Sequence, residues 1–306
     1  MILRMLLAGL LFVVMAPVAV AEIVVTDDTG HEVRLDGPAQ RIVSLAPHVT
    51  ETLFEAGAGD RIVATVNHSD HPPAAEDIPR IGGYDRVNVE RILALAPDLV
   101  IGWESGNAQG QLERLRELGL TLYVSEPRDL ATIARSVERF GRLAGTEDTA
   151  REAATAYRER LAALRDRYAD RERIEVFYQI WNDPLMTING EHLISDVIRG
   201  CGGANAFADL ANIAPRISTE SVVMRDPEVI IASGMGEERP EWLDDWKQWS
   251  EVRAVANGDL YFIPPQYLQR HTPRILIGME RMCLQVRRNR IVVRGVAVHA
   301  RGGQSG

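Results

Sequence analysis

The sequence predicts an α/β protein of two lobes, each built on a central parallel sheet, joined by one long rigid helix. Three observations predict it. Short apolar runs alternate with helical segments over residues 41–124, the pattern of βαβ units. The same alternation starts again at Ile174. Between the two series, no Gly or Pro falls between Gly145 and Pro184, so the connector is stiff rather than a flexible linker.

In chain order, Ile23–Leu35 reads as a hairpin turning at Asp28-Thr29-Gly30. Arg41–Leu45, bounded by Pro38 and Pro47, reads as a buried strand. Thr50 is expected to cap a helix that Gly57 and Gly59 end. There follow a strand at Arg61–Val66, a helix at Asn88–Leu95, a strand at Leu99–Gly102, a helix at Gln109–Leu118 and a strand at Thr121–Val124. Leu130–Tyr168 reads as helical, with Ala150, Ala153, Tyr157, Leu161, Leu164 and Tyr168 marking one apolar face of a long helix. The second cycle has strands at Ile174–Tyr178, Val229–Ala232 and Asp259–Ile263. Its helices are expected at Leu193–Arg199, Pro240–Trp246 and Pro273–Arg287. The resulting division is 1–21 a leader, 22–126 the first lobe, 127–172 the helical segment with the linker, 173–290 the second lobe, and 291–306 a mobile tail.

The chain has 306 residues, 46% of them hydrophobic and 25% charged, which suits a packed core and argues against disorder. Its 34 basic and 43 acidic side chains give a net charge of -9, the wrong balance for a nucleic-acid partner. Arg4, the apolar Met5–Met15 and Ala19-Val20-Ala21 compose a secretory signal. No later stretch is long enough to cross a bilayer, so the expectation is a soluble, exported, periplasmic monomer. Two cysteines, Cys201 and Cys283, in an exported chain point to a disulfide rather than a metal pair; buried free thiols are the alternative.

Enzyme signatures are lacking: there is no Gly-x-Ser-x-Gly elbow, phosphate loop, His-Glu-x-x-His or dinucleotide motif. His68-Ser69-Asp70-His71 has metal-like composition, but Pro72-Pro73 makes it a loop, better suited to touching a larger ligand than to caging a bare ion. Aromatics in loops say more. Tyr84, Trp103, Trp181 and Tyr267 each lie just beyond a predicted strand or in the loop after it, the edge where open α/β sheets bind ligands. Together they suit a large planar organic molecule, whereas Trp242, Trp246 and Trp249 fit packing on one helix. Glu90 and Glu220 each stand in the first turn of a short helix, where helix-dipole stabilisation alone would explain a carboxylate.

Several segments taken together resemble the periplasmic cobalamin-binding proteins of ATP-binding-cassette importers, a branch of the helical-backbone (class III) substrate-binding proteins. They are Ser44-Leu45-Ala46-Pro47-His48-Val49-Thr50-Glu51, Ser69-Asp70-His71-Pro72-Pro73, the run from Asn88 to Ile101, Gly102–Asn107, Cys201–Asn205 and Pro273-Arg274-Ile275. The Pro-Asp-Leu-Val type of motif is shared with haem and ferrisiderophore binders of the same fold. The resemblance implies two Rossmann-like lobes, a hinge that permits little closure, and no catalytic residue, resident cofactor or bound metal. It also implies a cobalamin or corrinoid ligand held by His48, His68, Tyr84, Trp103, Trp181, Gln266, Tyr267 and Arg270, and delivery to permease subunits docked through Glu90 and Glu220. Haem or a ferrisiderophore is the alternative ligand, with Arg270 and Arg274 facing its anionic groups. Two departures stand out: Ala214 replaces a pocket tryptophan, and Gln266 replaces an acidic residue.

Overall fold

The protein is described from a computed structural model covering residues 22–168, 173–234, 236 and 238–286. The expected leader at 1–21 and tail at 291–306 lie outside the described residues.

A hairpin of β1 (Ile23–Thr26) and β2 (Glu32–Leu35) opens the fold, its turn held by Asp27 Oδ1, which accepts from the backbone N–H groups of Thr29 and His31. The first lobe follows as β3 (Ile42–Ser44), α1 (Pro47–Glu55), β4 (Ile62–Ala64), α2 (Val89–Ala94), β5 (Leu99–Trp103), α3 (Gln109–Glu117) and β6 (Leu122–Ser125). Its sheet is parallel with order β4-β3-β5-β6. The connector is α4 (Leu130–Ala144) and α5 (Glu147–Tyr168). The second lobe holds β7 (Ile174–Gln179), α6 (Leu193–Gly200), β8 (Gly203–Asn205), α7 (Thr219–Arg225), β9 (Val229–Ala232), α8 (Arg253–Ala256), β10 (Leu260–Phe262) and a last helix, α9, described over 275–286. Its sheet, β10-β9-β7-β8, is again parallel. Each lobe thus places its first strand between its second and third. The order reverses beside that first strand, and in open sheets the crevice at such a point takes the ligand.

Four details differ from the sequence-based expectation. Leu130–Tyr168 is two helices: α4 starts in a capping box between Asp129 and Thr132 and stops at Gly145, whose φ of 68° is left-handed. Thr50 lies inside α1, which begins earlier because Pro47 takes the first helical position, where a missing N–H costs nothing. The Thr50 hydroxyl instead joins a buried chain with Ser44, Thr65 and Ser69 at 2.6–2.8 Å, which fixes the loop carrying His68. The expected α-helix at Pro240–Trp246 is a 3-10 helix over Glu241–Gln248, and β8, composed of Gly, Ala and Asn, was not anticipated.

At ~1.5 Å per residue, α5 is about 33 Å long. It buries Ala150, Ala154, Tyr157, Leu161, Leu164 and Tyr168. Tyr157 donates to the Leu130 carbonyl at 2.8 Å, and Arg165 pairs at 3.1 Å with Asp196 of α6. One hydrophobic core runs without a break from β1 and α1 through α4 and α5 to α6 and α9, so the helical sides of both lobes are packed as one body. Each lobe keeps a separate small core on its other sheet face. Cys201, at the end of α6, is disulfide-bonded to Cys283 of α9. Closing a loop of 82 residues stabilises the fold by roughly 4–5 kcal/mol in the chain-entropy model. Among the described residues no helix is long and apolar enough to cross a membrane.

Candidate functional site: a ring cluster between the strand ends

The carboxyl ends of β3 and β5 flank the switch point of the first lobe, and both deliver aromatic rings. Trp103 is the last residue of β5. Its ring centre lies 5.7 Å from Tyr84 and 5.2 Å, edge to face, from His48 in the first turn of α1. Asn107 locks this group. Its Oδ1 accepts the Trp103 N–H at 2.6 Å while its Nδ2 donates to the carbonyls of Leu45 and Tyr84 at 2.9 and 2.6 Å. Three loops are so tied by one side chain. Gly106 completes the seat: a Cβ there would fall 1.8 Å from the indole ring. Tyr84 remains 40% exposed, a large ring left uncovered at the rim.

The second lobe meets this cluster through its 264–274 segment. His271 lies 5.8 Å from His48 and 6.4 Å from Trp103, with His192 at 6.2 Å on its other side. Burial holds His48 down at about 3 and His192 at about 4; burial and the neighbouring histidines hold His271 well below its ordinary value. All three are neutral at pH 7. Three polar ring atoms, His48 Nε2, Trp103 Nε1 and His271 Nδ1, are buried with no hydrogen-bond partner among the described residues. Native interiors rarely leave such groups unpaired, and here they gather where the two lobes meet.

Beside the rings, charges cross from lobe to lobe. Arg270 donates to Glu51 Oε1 at 2.7 Å, to both oxygens of Asp70 at 2.5 and 3.0 Å, and to the His68 carbonyl at 3.0 Å. Arg274 grips Glu51 bidentately at 2.8 and 2.9 Å. Burial opposes charge on Asp70 and Arg270 alike, but their mutual hydrogen bonds prevail, lowering the carboxyl and raising the guanidinium. Glu51 is 2% exposed, and such a buried carboxylate is tolerable only because two cations hold it.

The residues expected at the site are therefore distributed unevenly. His48, Tyr84 and Trp103 converge; His68, exposed and with a left-handed φ of 65°, sits beside them through its carbonyl. Arg270 and Gln266 lie on the facing loop, and Arg270 is engaged by carboxylates. Tyr267 packs between Arg274 and Arg281, at 5.7 and 4.4 Å from its ring. Trp181, 38% exposed, follows β7 and donates to the Asp183 carbonyl at 2.9 Å. A surface hollow of about 520 Å³ runs along Leu210–Ser218, the segment that carries Ala214. The parts played by Glu51, Asn107, His192 and His271 have no local signature: apart from Trp103 beside Asn107, their partners at the site lie far away along the chain. Among the described residues no group of three His, Cys, Asp or Glu side chains is placed to hold a metal.

Glu90 and Glu220 occupy matched places, each the second residue of a short helix and each nine residues before the next strand. Asn88 and Ser218 cap those helices, and Ala96 and Asp226, six residues after each carboxylate, share a left-handed φ. Both carboxylates are exposed, and neither makes an ion pair among the described residues.

The periplasmic binding protein family model matches residues 42–267. A protein of Vibrio cholerae serotype O1 named vitamin B12-binding protein is 38% identical over 247 residues, 80% of this chain and 88% of that one. One of the same name from Yersinia pestis is 35% identical, covering 81% and 86%. The crystal structure of the periplasmic vitamin B12 binding protein BtuF of Vibrio cholerae superposes with a TM-score of 0.77 at 36% identity over 83% of this chain and 98% of that one. The periplasmic heme-binding protein RhuT of Roseiflexus, at 24% identity, matches with a TM-score of 0.71 over 81% and 97%, a likeness of fold alone. With paired parallel sheets, a helical connector and a match across both lobes, this chain belongs to the periplasmic binding protein family, whose members bind substrates rather than transform them.

Proposed function

We propose that this protein is exported to the periplasm, captures cobalamin or a related corrinoid in the cleft between its strand ends, and hands it to the membrane subunits of an ATP-binding-cassette importer. The observation that carries the reading is the ring cluster of Tyr84, Trp103 and His48 facing His271 across the lobes, in a chain whose curated relatives are named vitamin B12-binding proteins. Flat rings offer stacking area to a corrin, and Tyr84, 40% exposed, presents such a ring at the rim. Because the lobes share one core on their helical side, capture involves only a small hinge motion. Glu90 and Glu220, one on each lobe, are the carboxylates that meet cations on the two permease subunits.

Haem or a ferrisiderophore is the rival cargo. Haem needs unsatisfied cations for its two carboxylates, and an anionic iron chelate needs them for its net charge, whereas Arg270 and Arg274 are both already paired. Calorimetric titration with cyanocobalamin, cobinamide and haemin tests the reading: tight saturable binding of at least one corrinoid and weak binding of haemin are expected, whereas silence toward both corrinoids contradicts it.

A further inference from the structure

Corrins and porphyrins are rings of similar size that differ at the rim: the corrin of cobalamin carries neutral amides, haem two carboxylates. A cleft that separates them must read rim charge, and guanidinium groups are the side chains best shaped to grip a carboxylate. This cleft has two, Arg270 and Arg274, only 18% and 16% exposed at their side chains. Neither is available. Glu51 takes one guanidinium hydrogen bond from Arg270 and two from Arg274, and Asp70 takes two more from Arg270. Glu55, whose carboxyl is raised by burial and by the charge of Glu51, adds a third acid to the group. The neighbouring histidines contribute no positive charge at neutral pH. The contact between the lobes therefore carries two guanidinium groups but no net positive charge.

On the basis of the corrinoid reading above, we propose that Glu51 and Asp70 are specificity-determining residues of this protein, positioning and neutralising Arg270 and Arg274 so that amide-edged tetrapyrroles are accepted and carboxylate-bearing ones refused. They act through the arginines, by competing with a ligand carboxylate for the same guanidinium N–H groups. Refusing a partner by occupying its natural binding groups is as effective as improving contacts to the right one. Burial favours the arrangement: Glu51 is 2% exposed, so an incoming carboxylate would have to displace a desolvated, doubly held acid. Asp70, about half exposed at its side chain, is the weaker half of the device and the one that can be altered without emptying a buried site. If its carboxylate is removed, Arg270 keeps its place through the His68 carbonyl at 3.0 Å.

The test compares D70N and E51Q with the unaltered protein against three probes: cyanocobalamin, haemin, and haemin dimethyl ester, which is the same ring with its carboxylates masked. Haemin affinity is expected to rise about tenfold or more in D70N, a factor of ten being about 1.4 kcal/mol, and to rise further in E51Q. The gain should shrink as salt is raised. The readout is selectivity: the ratio of haemin affinity to ester affinity, and of haemin affinity to cyanocobalamin affinity, should rise about tenfold or more in D70N whatever the change in overall affinity. The proposal is overturned if haemin shows no gain relative to cyanocobalamin in a D70N protein that still binds cyanocobalamin, or if the ester gains as much as haemin, which would mark a loosened cleft rather than freed cations. Failure of the unaltered protein to bind cyanocobalamin would defeat the corrinoid reading instead, and the haemin-to-ester ratio would still decide whether Glu51 and Asp70 mask the arginines.

Discussion

The two lobes share a strand order and a helix-turn-strand unit down to the position of one exposed carboxylate, yet their rims are built differently. In the first lobe Asn107 binds three loops to one another and sets Trp103 against Tyr84 and His48. In the second, the Trp181 indole bonds the nearby Asp183 carbonyl and no distant loop, Ala214 offers no ring, and Tyr267 is taken up between two arginines. What is duplicated is the outer frame on which the carboxylates stand. What diverges is the inner edge. On the proposed function, a receptor that fits two permease subunits alike but one asymmetric ligand has reason to keep the first and vary the second.

Reversing charge on the duplicated feature gives the largest expected effect. Uptake of labelled cyanocobalamin through the protein's own importer should be abolished by E90R combined with E220R, while ligand affinity stays unchanged; each single reversal should leave an intermediate rate if the lobes dock as equals. Loss of affinity in the double variant would show that these carboxylates serve the cleft.

The divergent edge predicts a smaller but unequal effect. W103A removes the central ring of the ordered rim and should weaken cyanocobalamin binding by about 30-fold, the ~2 kcal/mol of a buried aromatic anchor. W181A should cost about fivefold or less, since that ring is 38% exposed and stands apart from the cluster. Equal losses in titration would erase the asymmetry.

The contact between lobes, which neither pair of variants touches, has a pH response of its own. His48 and His192 are held near 3 and 4, and His271 well below its ordinary value, so the folded chain refuses protons that unfolded histidines accept below about 6.5. Stability is then level above pH 7 and declines as pH falls from about 6.5 toward 4. Asp70, lowered by Arg270, adds to the loss only under more acid conditions, as pH falls below its ordinary value of 3.8. Urea midpoints at pH 7.5 and 5.0 should differ, and the difference should narrow in H271Q; an unchanged difference would mean the cluster does not carry it.

Much of this was legible in the sequence because it is written locally. Strands such as Val229–Ala232 are unbroken apolar runs between turn formers, and the rings matter because they stand where such runs stop. Thr50 looks like a cap because it is a hydroxyl at the head of an apolar helical run, whereas Pro47 sets the start three residues earlier. Gly203–Asn205 lacks the branched and aromatic residues that signal a strand. The contacts that define the cleft had no local signature at all. Glu51 and Arg270 are 219 positions apart, and the convergence of His48, His192 and His271 follows from the shared core and paired sheets, not from any spacing along the chain.

The location of the ring in a structure of the protein with bound cyanocobalamin tests the account most directly. The corrin is expected between the lobes, with Trp103 and Tyr84 against it and its amides reaching the 264–271 loop. A corrin seated wholly in the second lobe, along the Leu210–Ser218 hollow and out of reach of Trp103, would contradict it.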